Sequence, residues 1–278
     1  MNGYCMTAQE YIPEVIPYKN NVLKGLCIKG MQTLDLLSIP FDDTSKRSQP
    51  PWRLEKSTRS RCTISFEFIL NGEIKRIFAK RYKTWRWLKK LEYLFHPPKA
   101  FREWQAGLKL LEMGITTPQP LLYAVEKKGV FVKNNYLVTL SIEPNIPLSE
   151  SLTHIKENEK RQSIIQSLGS FISRVHDMNF YHDDLSVEHI YIPPEYCEPI
   201  KFALIDLDNC RFGAAGLRSY RAINLFQILR SADEKILNPD ERRMLVESYL
   251  GKYKKDKYND FIHQINAYAM RKEGRKVI

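Results

Sequence analysis

A histidine, two adjacent aspartates and a second histidine fall within one short stretch, Tyr181-His182-Asp183-Asp184-Leu185-Ser186-Val187-Glu188-His189-Ile190-Tyr191-Ile192. A further carboxylate closes an apolar run, Leu204-Ile205-Asp206, with Leu207-Asp208 beyond it. A carboxylate beside an alcohol can take its proton, a polar side chain five residues on can face a divalent cation, and a distal aspartate can hold that cation against phosphate oxygens. The chemistry is phosphoryl transfer to a hydroxyl. Asp184 is the expected base or orienting group, and Asp206 with His189 the expected metal-facing pair. Imidazole suits Mg²⁺ less well than oxygen donors, so His189 is left with three roles: acting through water, contacting phosphate, or orienting Asp184. His-x-Asp triplets are common, and a strand-end aspartate is often a turn residue. The weight lies on both fragments at this separation, behind a helix of the right phase.

That helix is expected at residues 161–178, where Ile164, Ile165, Leu168, Phe171, Ile172 and Val175 keep the spacing of a buried face. Upstream, Ile64, Phe66, Phe68 and Leu70 alternate as in a strand. Asn71-Gly72 follows, and β-prone residues resume over 74–82, which spells a hairpin. Ile77-Phe78-Ala79-Lys80 resembles a Val-Ala-Ile-Lys strand whose lysine contacts α- and β-phosphates, so Lys80 is the expected residue for that role. Its expected partner is Glu103, in the first half of a helix over 99–113, in preference to Glu112. The loop before the hairpin, Ser57-Thr58-Arg59-Ser60-Arg61, has no glycine; Ser57, Arg59 and Ser60 are its candidates for holding anionic oxygens. Residues 143–147, Glu-Pro-Asn-Ile-Pro, read as a hinge. Further helices are expected over 221–231, from Asn238-Pro239 to about residue 250, and over 257–271. Strands first and helices after give an α+β, two-lobed plan: a separate extension over 1–51, then lobes over 52–143 and 144–278.

The chain has 278 residues, 43% of them hydrophobic, and a formal net charge of +11. Such an excess of cations points to an anionic partner. Residues 75–90 carry eight basic residues and no acid, and Trp87, Leu88, Leu91, Leu94 and Phe95 gather on one side of a helical wheel, away from Arg86, Lys89 and Lys90. A helix of this kind can lie on an anionic membrane, and it can equally pack on its own protein. No nucleic-acid-binding module accompanies the basic stretch, so no nucleic acid is expected as partner. Five cysteines (Cys5, Cys27, Cys62, Cys197, Cys210) without metal-site spacing read as free thiols in a reducing compartment. No signal-peptide pattern or apolar run long enough to span a bilayer is visible, so a protein either cytoplasmic or peripheral at the inner face of the cell membrane is expected.

The segments Phe78-Ala79-Lys80-Arg81-Tyr82, Arg102-Glu103-Trp104, Gly114-Ile115-Thr116-Thr117-Pro118, Asp184-Leu185-Ser186-Val187-Glu188-His189-Ile190 and Ile205-Asp206-Leu207-Asp208 resemble the bacterial lipopolysaccharide core kinases of the Kdo/heptose class. The resemblance covers residues 52–231. Histidine at 189, where protein kinases carry asparagine, looks like the heptose-kinase branch, and Asp183 stands where they carry arginine. The resemblance implies a protein-kinase-like fold, with a small antiparallel-sheet N-lobe and a mainly helical C-lobe. It also implies ATP with Mg²⁺, and phosphorylation of a heptose or Kdo hydroxyl in the anionic, lipid-linked inner core at the cytoplasmic face of the cell membrane. Asn224-Leu225 stands where such folds often carry Asp-Leu, and asparagine can still accept a hydrogen bond there. Two rival readings remain: a soluble phosphotransferase of the aminoglycoside or choline type, and a non-catalytic kinase-like binding protein.

Overall fold

The computed structural model describes residues 14–195, 198–213, 217–251, 255–274 and 277–278. The described chain divides into two compact units, one holding residues up to 114 together with 118–141, the other holding 115–117 with 142 onward.

In the first unit, β1 (Val15–Lys19), β2 (Leu23–Ile28), β3 (Arg53–Ser57), β4 (Arg61–Leu70), β5 (Glu73–Lys83), β6 (Pro120–Lys128) and β7 (Phe131–Leu140) form one antiparallel sheet in the order β1-β2-β6-β7-β5-β4-β3. Asn71 and Gly72 turn β4 into β5 at φ +52° and +84°, with Leu70 opposite Glu73. A two-residue turn whose twist matches the strands needs positive φ at both places. Two helices follow β5: α1 (Trp87–Phe95) and α2 (Lys99–Glu112). The latter buries Ala100, Glu103, Trp104, Gly107 and Leu110 on one stripe.

Residues 14–51 do not stand apart from this sheet as an extension would. β2 pairs with β6 from Leu23↔Glu126 to Cys27↔Leu122. Met31, Leu34, Leu36, Ile39 and Phe41 are buried in the same core as Ile64, Ile77 and Leu137. They do so from irregular backbone, which explains why the segment shows no sustained period.

The second unit contains β8 (Ile146–Pro147), α3 (Leu148–His154), α4 (Asn158–Asp177), β9 (Phe180–His182), β10 (Ile190–Ile192), β11 (Ala203–Leu204), β12 (Cys210–Phe212), α5 (Leu217–Ser231), α6 (Pro239–Leu250) and α7 (Lys255–Glu273). Where a hinge was expected over 143–147, the division falls between 141 and 142, because β8 is already paired with β10. All six apolar residues anticipated on α4 are buried. Gly169 lets α4 and α6 approach, since a Cβ there would lie 2.6 Å from Leu245 O and 2.7 Å from Tyr249 N. Asn238 caps α6 in a reciprocal box with Glu241, which satisfies N–H groups that have no partner inside the helix. Among the described residues Cys27, Cys62 and Cys210 form no disulfide, and Cys5 and Cys197 lie outside the described residues. Among the described residues no helix is long and apolar enough to cross a membrane.

Candidate active site

In the first unit, Lys80 lies on β5 opposite Thr63 and Leu137. It shares a strand face with Tyr82, because side chains alternate along a strand. α2 brings Glu103 to that face. The Glu103 carboxylate, 4% exposed, accepts Lys80 Nζ on one oxygen and the Tyr82 hydroxyl on the other, at 2.6 Å. A buried carboxylate is tolerated only when paired and hydrogen-bonded, and both conditions hold. Two other lysines of β5 pair with acids elsewhere, Lys75 with Glu73 and Lys83 with Asp42.

The glycine-free loop joins β3 to β4. Ser57 Oγ accepts from Arg47 Nη1 at 3.1 Å. The Arg59 guanidinium lies over the Trp85 ring, 3.7 Å from its centroid, and the Ser60 carbonyl accepts the Lys83 N–H at 2.8 Å. The side chains of Ser57 and Arg59 are thus turned to their own unit.

In the second unit two short ladders hold the acidic loops. β9 pairs with β12, setting His182 against Cys210. β10 pairs with β11, and Ile205 N donates to His189 O at 3.0 Å. His182, 2% exposed, ties the two loops together through one ring. A carbonyl only accepts, so the contact with Ile205 O at 3.0 Å places the ring hydrogen on Nε2. Nδ1 is then free to accept the Asp184 N–H at 3.2 Å. Burial holds the pKa of this imidazole below its usual value.

His189 is fixed in the same manner, with Nδ1 donating to the Asp184 carbonyl at 2.7 Å. Its Nε2 lies 3.9 Å from Asp206 Oδ2. Asp206 adopts a left-handed backbone, φ 59° and ψ 53°. Asp enters that region at less cost than most residues, and such strain collects at ligand clamps. The Asp184 backbone, the His189 ring and the Asp206 carboxylate therefore lie together within the second unit.

Behind them, Asn224 of α5 accepts the His182 N–H at 3.3 Å, accepts His176 Nε2 at 3.1 Å, and donates to His182 O at 2.6 Å. Asparagine does accept hydrogen bonds at this place. Gln227 donates to the Asp183 carbonyl. Asp183 pairs with Arg211 of β12 at 2.9 Å. The roles of His182 and Tyr82 are additions to the residues singled out from sequence. The His-x-Asp triplet was the only signal for the first, and nothing but strand register marked the second.

Among the described residues no group of three or more His, Cys, Asp or Glu side chains could hold a metal ion. The His189–Asp206 pair offers two donors. The Asp206 carboxylate is the kind of ligand Mg²⁺ takes, since that ion is bound through one or two carboxylates and completes its shell with water and phosphate oxygens, whereas the His189 imidazole is the poorer donor for it. Zinc takes three or four protein ligands, which the pair does not supply.

Residues 46–249 match the family described as lipopolysaccharide kinase (Kdo/WaaP). Among curated relatives named 3-deoxy-D-manno-octulosonic acid kinase, the chain is 27% identical to that of Vibrio parahaemolyticus over 54% of this chain and 60% of the relative. It is 31% identical to that of Mannheimia succiniciproducens over 45% and 52%, and 24% identical to that of Vibrio cholerae over 50% and 54%. Each match spans little more than half of the relative's length. A solved structure titled "WaaP in complex with acyl carrier protein" superposes with a TM-score of 0.59 at 17% identity, covering 79% of this chain and 86% of that one. At that identity the likeness establishes the fold, which is protein-kinase-like.

Proposed function

This chain belongs to the lipopolysaccharide kinase (Kdo/WaaP) family, and we propose that it is an ATP-dependent kinase that phosphorylates a sugar hydroxyl, of Kdo or heptose, in the inner core of lipopolysaccharide. One observation carries the reading: a single buried imidazole, His182, fixes both the Asp184 backbone and the residue before Asp206. The same ring thereby fixes the position of both acidic loops relative to each other.

Asp184 takes or orients the acceptor's hydroxyl proton. Asp206 and His189 are the residues that would hold Mg²⁺, which when bound would neutralise charge on the phosphate oxygens. Lys80, kept in place by Glu103, holds the α- and β-phosphates. In the Ser57–Ser60 loop the Arg59 and Ser60 backbone N–H groups are the proposed phosphate donors, since Thr58 N–H already donates to Arg61 O and Ser57 Oγ accepts from Arg47. Positioning and electrostatics supply most of the rate in such reactions. Asp183 has a resident partner in Arg211 and so needs no phosphorylated loop to organise it. This supports a constitutively formed site. The reading places the protein in the cytoplasm, meeting its lipid-linked acceptor at the inner face of the cell membrane.

The test is incubation of the full chain with Mg-ATP and core-truncated lipopolysaccharide, followed by mass spectrometry of the glycan. Addition of one phosphate to an inner-core sugar is expected. Transfer only to soluble amino sugars or choline would replace the proposal with a small-molecule phosphotransferase. No transfer and no nucleotide binding at any Mg²⁺ concentration would leave a kinase-like binding protein.

A further inference from the structure

The helix α1 is amphipathic, and its apolar side faces outward. None of its nine residues is buried. Trp87 and Leu88 are each 66% exposed, Leu94 43% and Phe95 83%. The partly covered residues include the polar Lys89, Lys90 and Glu92, together with Leu91 and Tyr93, and Lys89 is paired with Glu92. A surface helix ordinarily does the reverse, because burying its apolar stripe is what holds it to the protein.

Beside α1, Trp85 is 41% exposed and has two guanidinium groups against its ring, Arg59 at 3.7 Å and Arg86 at 4.8 Å from the centroid. Exposed tryptophan and phenylalanine next to unneutralised arginine suit the headgroup boundary of an anionic bilayer. There the rings enter the acyl edge while the cations meet lipid phosphates. A second copy of this chain would bring the same cations against themselves.

We infer that α1 is an in-plane anchor that seats the first unit on an anionic membrane through Trp87, Leu88, Leu94 and Phe95, with Arg86 at the headgroups. The inference rests on the lipid-linked acceptor proposed above and names the surface that meets the lipid.

The experiment is co-sedimentation of the full chain with vesicles of phosphatidylethanolamine and phosphatidylglycerol, and with vesicles of phosphatidylcholine alone. Brominated lipids report tryptophan insertion. The wild-type chain should pellet with the anionic vesicles, with its fluorescence quenched, and should stay in solution with the zwitterionic ones. The variant Trp87→Ser/Phe95→Ser, whose sites are exposed, should keep the wild-type melting temperature and bind at least about tenfold more weakly. Arg86→Glu should weaken binding roughly severalfold, an effect that salt reduces.

Equal pelleting of the double variant, no pelleting of the wild type, or a solution dimer that the double variant dissolves would each overturn the anchor. Transfer to a deacylated, soluble acceptor separates this from the kinase reading. The double variant should retain that activity in full while losing transfer to acceptor held in vesicles. Vesicle binding without transfer to either acceptor would remove the kinase and leave the anchor standing.

Discussion

His189 donates its Nδ1 hydrogen to the carbonyl oxygen of Asp184, which leaves a lone pair on Nε2 facing Asp206 Oδ2 at 3.9 Å. Two acceptors this close are best stabilised by a cation or a proton between them. Asparagine could reproduce both halves of the arrangement, an N–H toward the Asp184 carbonyl and an oxygen toward the cation. His189→Asn should therefore keep Mg-dependent nucleotide binding near the wild-type level. His189→Ala should weaken it about tenfold or more. Calorimetric titration with the Mg-nucleotide checks this, and equal affinities for wild type and alanine would remove His189 from the metal.

The two aspartates divide along a different line. Asp206→Ala should abolish metal-dependent binding of nucleotide, because it removes the carboxylate of the pair. Asp184→Asn should bind nucleotide normally and lose roughly 10²-fold or more in turnover, the usual contribution of a positioned proton acceptor. If both variants failed in binding alone, the division of roles would be wrong.

Much of this was legible in the sequence, and the exceptions have physical causes. The Asn71-Gly72 hairpin, the α4 stripe and the α6 cap are local, and their residues carry their own conformational instructions. β2 is the opposite case. It becomes a strand by pairing with β6, about a hundred residues onward, and no short window contains that information. Periodicity showed α1 to be two-sided but could not say which side faces the protein. The work of His182 was hidden because both of its partners are backbone atoms.

Glu103 makes two contacts that should couple. Glu103→Ala breaks the ion pair with Lys80, whose side chain is 17% exposed, and a buried pair broken from one side costs about 3–5 kcal/mol. Tyr82→Phe removes only a neutral donor and should cost about 1 kcal/mol. Adding Tyr82→Phe to Glu103→Ala should then cost less than it does alone, since its acceptor is already gone. Additive losses in denaturant melts would show the two contacts to be independent.

Gly25 tests whether the segment before β3 is integral to the first unit. It pairs with Ala124, and a Cβ at this position would lie 1.8 Å from Tyr123 O. Backbone cannot yield so far without unpairing β2 from β6. Gly25→Ala should lower stability by about 2 kcal/mol or more and expose the β1–β2 amides to hydrogen exchange. Unchanged exchange would mean that β2 can shift freely against β6.

The buried histidines make stability depend on pH with a definite sign. His176, held between Tyr249 and Asn224, has its pKa lowered by burial from 6.5 to about 4, and that of His182 is lowered for the same reason. Below about pH 6.5 the unfolded chain takes up protons that these rings refuse when folded, so stability falls as pH decreases. For His176 the loss continues to about pH 4 and then levels off, reaching roughly 3 kcal/mol at most. Between pH 6.5 and 5, ordinary carboxylates remain charged in both states, which isolates the histidine contribution. Denaturant melts in that window should show a slope that His176→Gln reduces, because glutamine does not titrate. A variant with the wild-type slope would assign the effect to other groups.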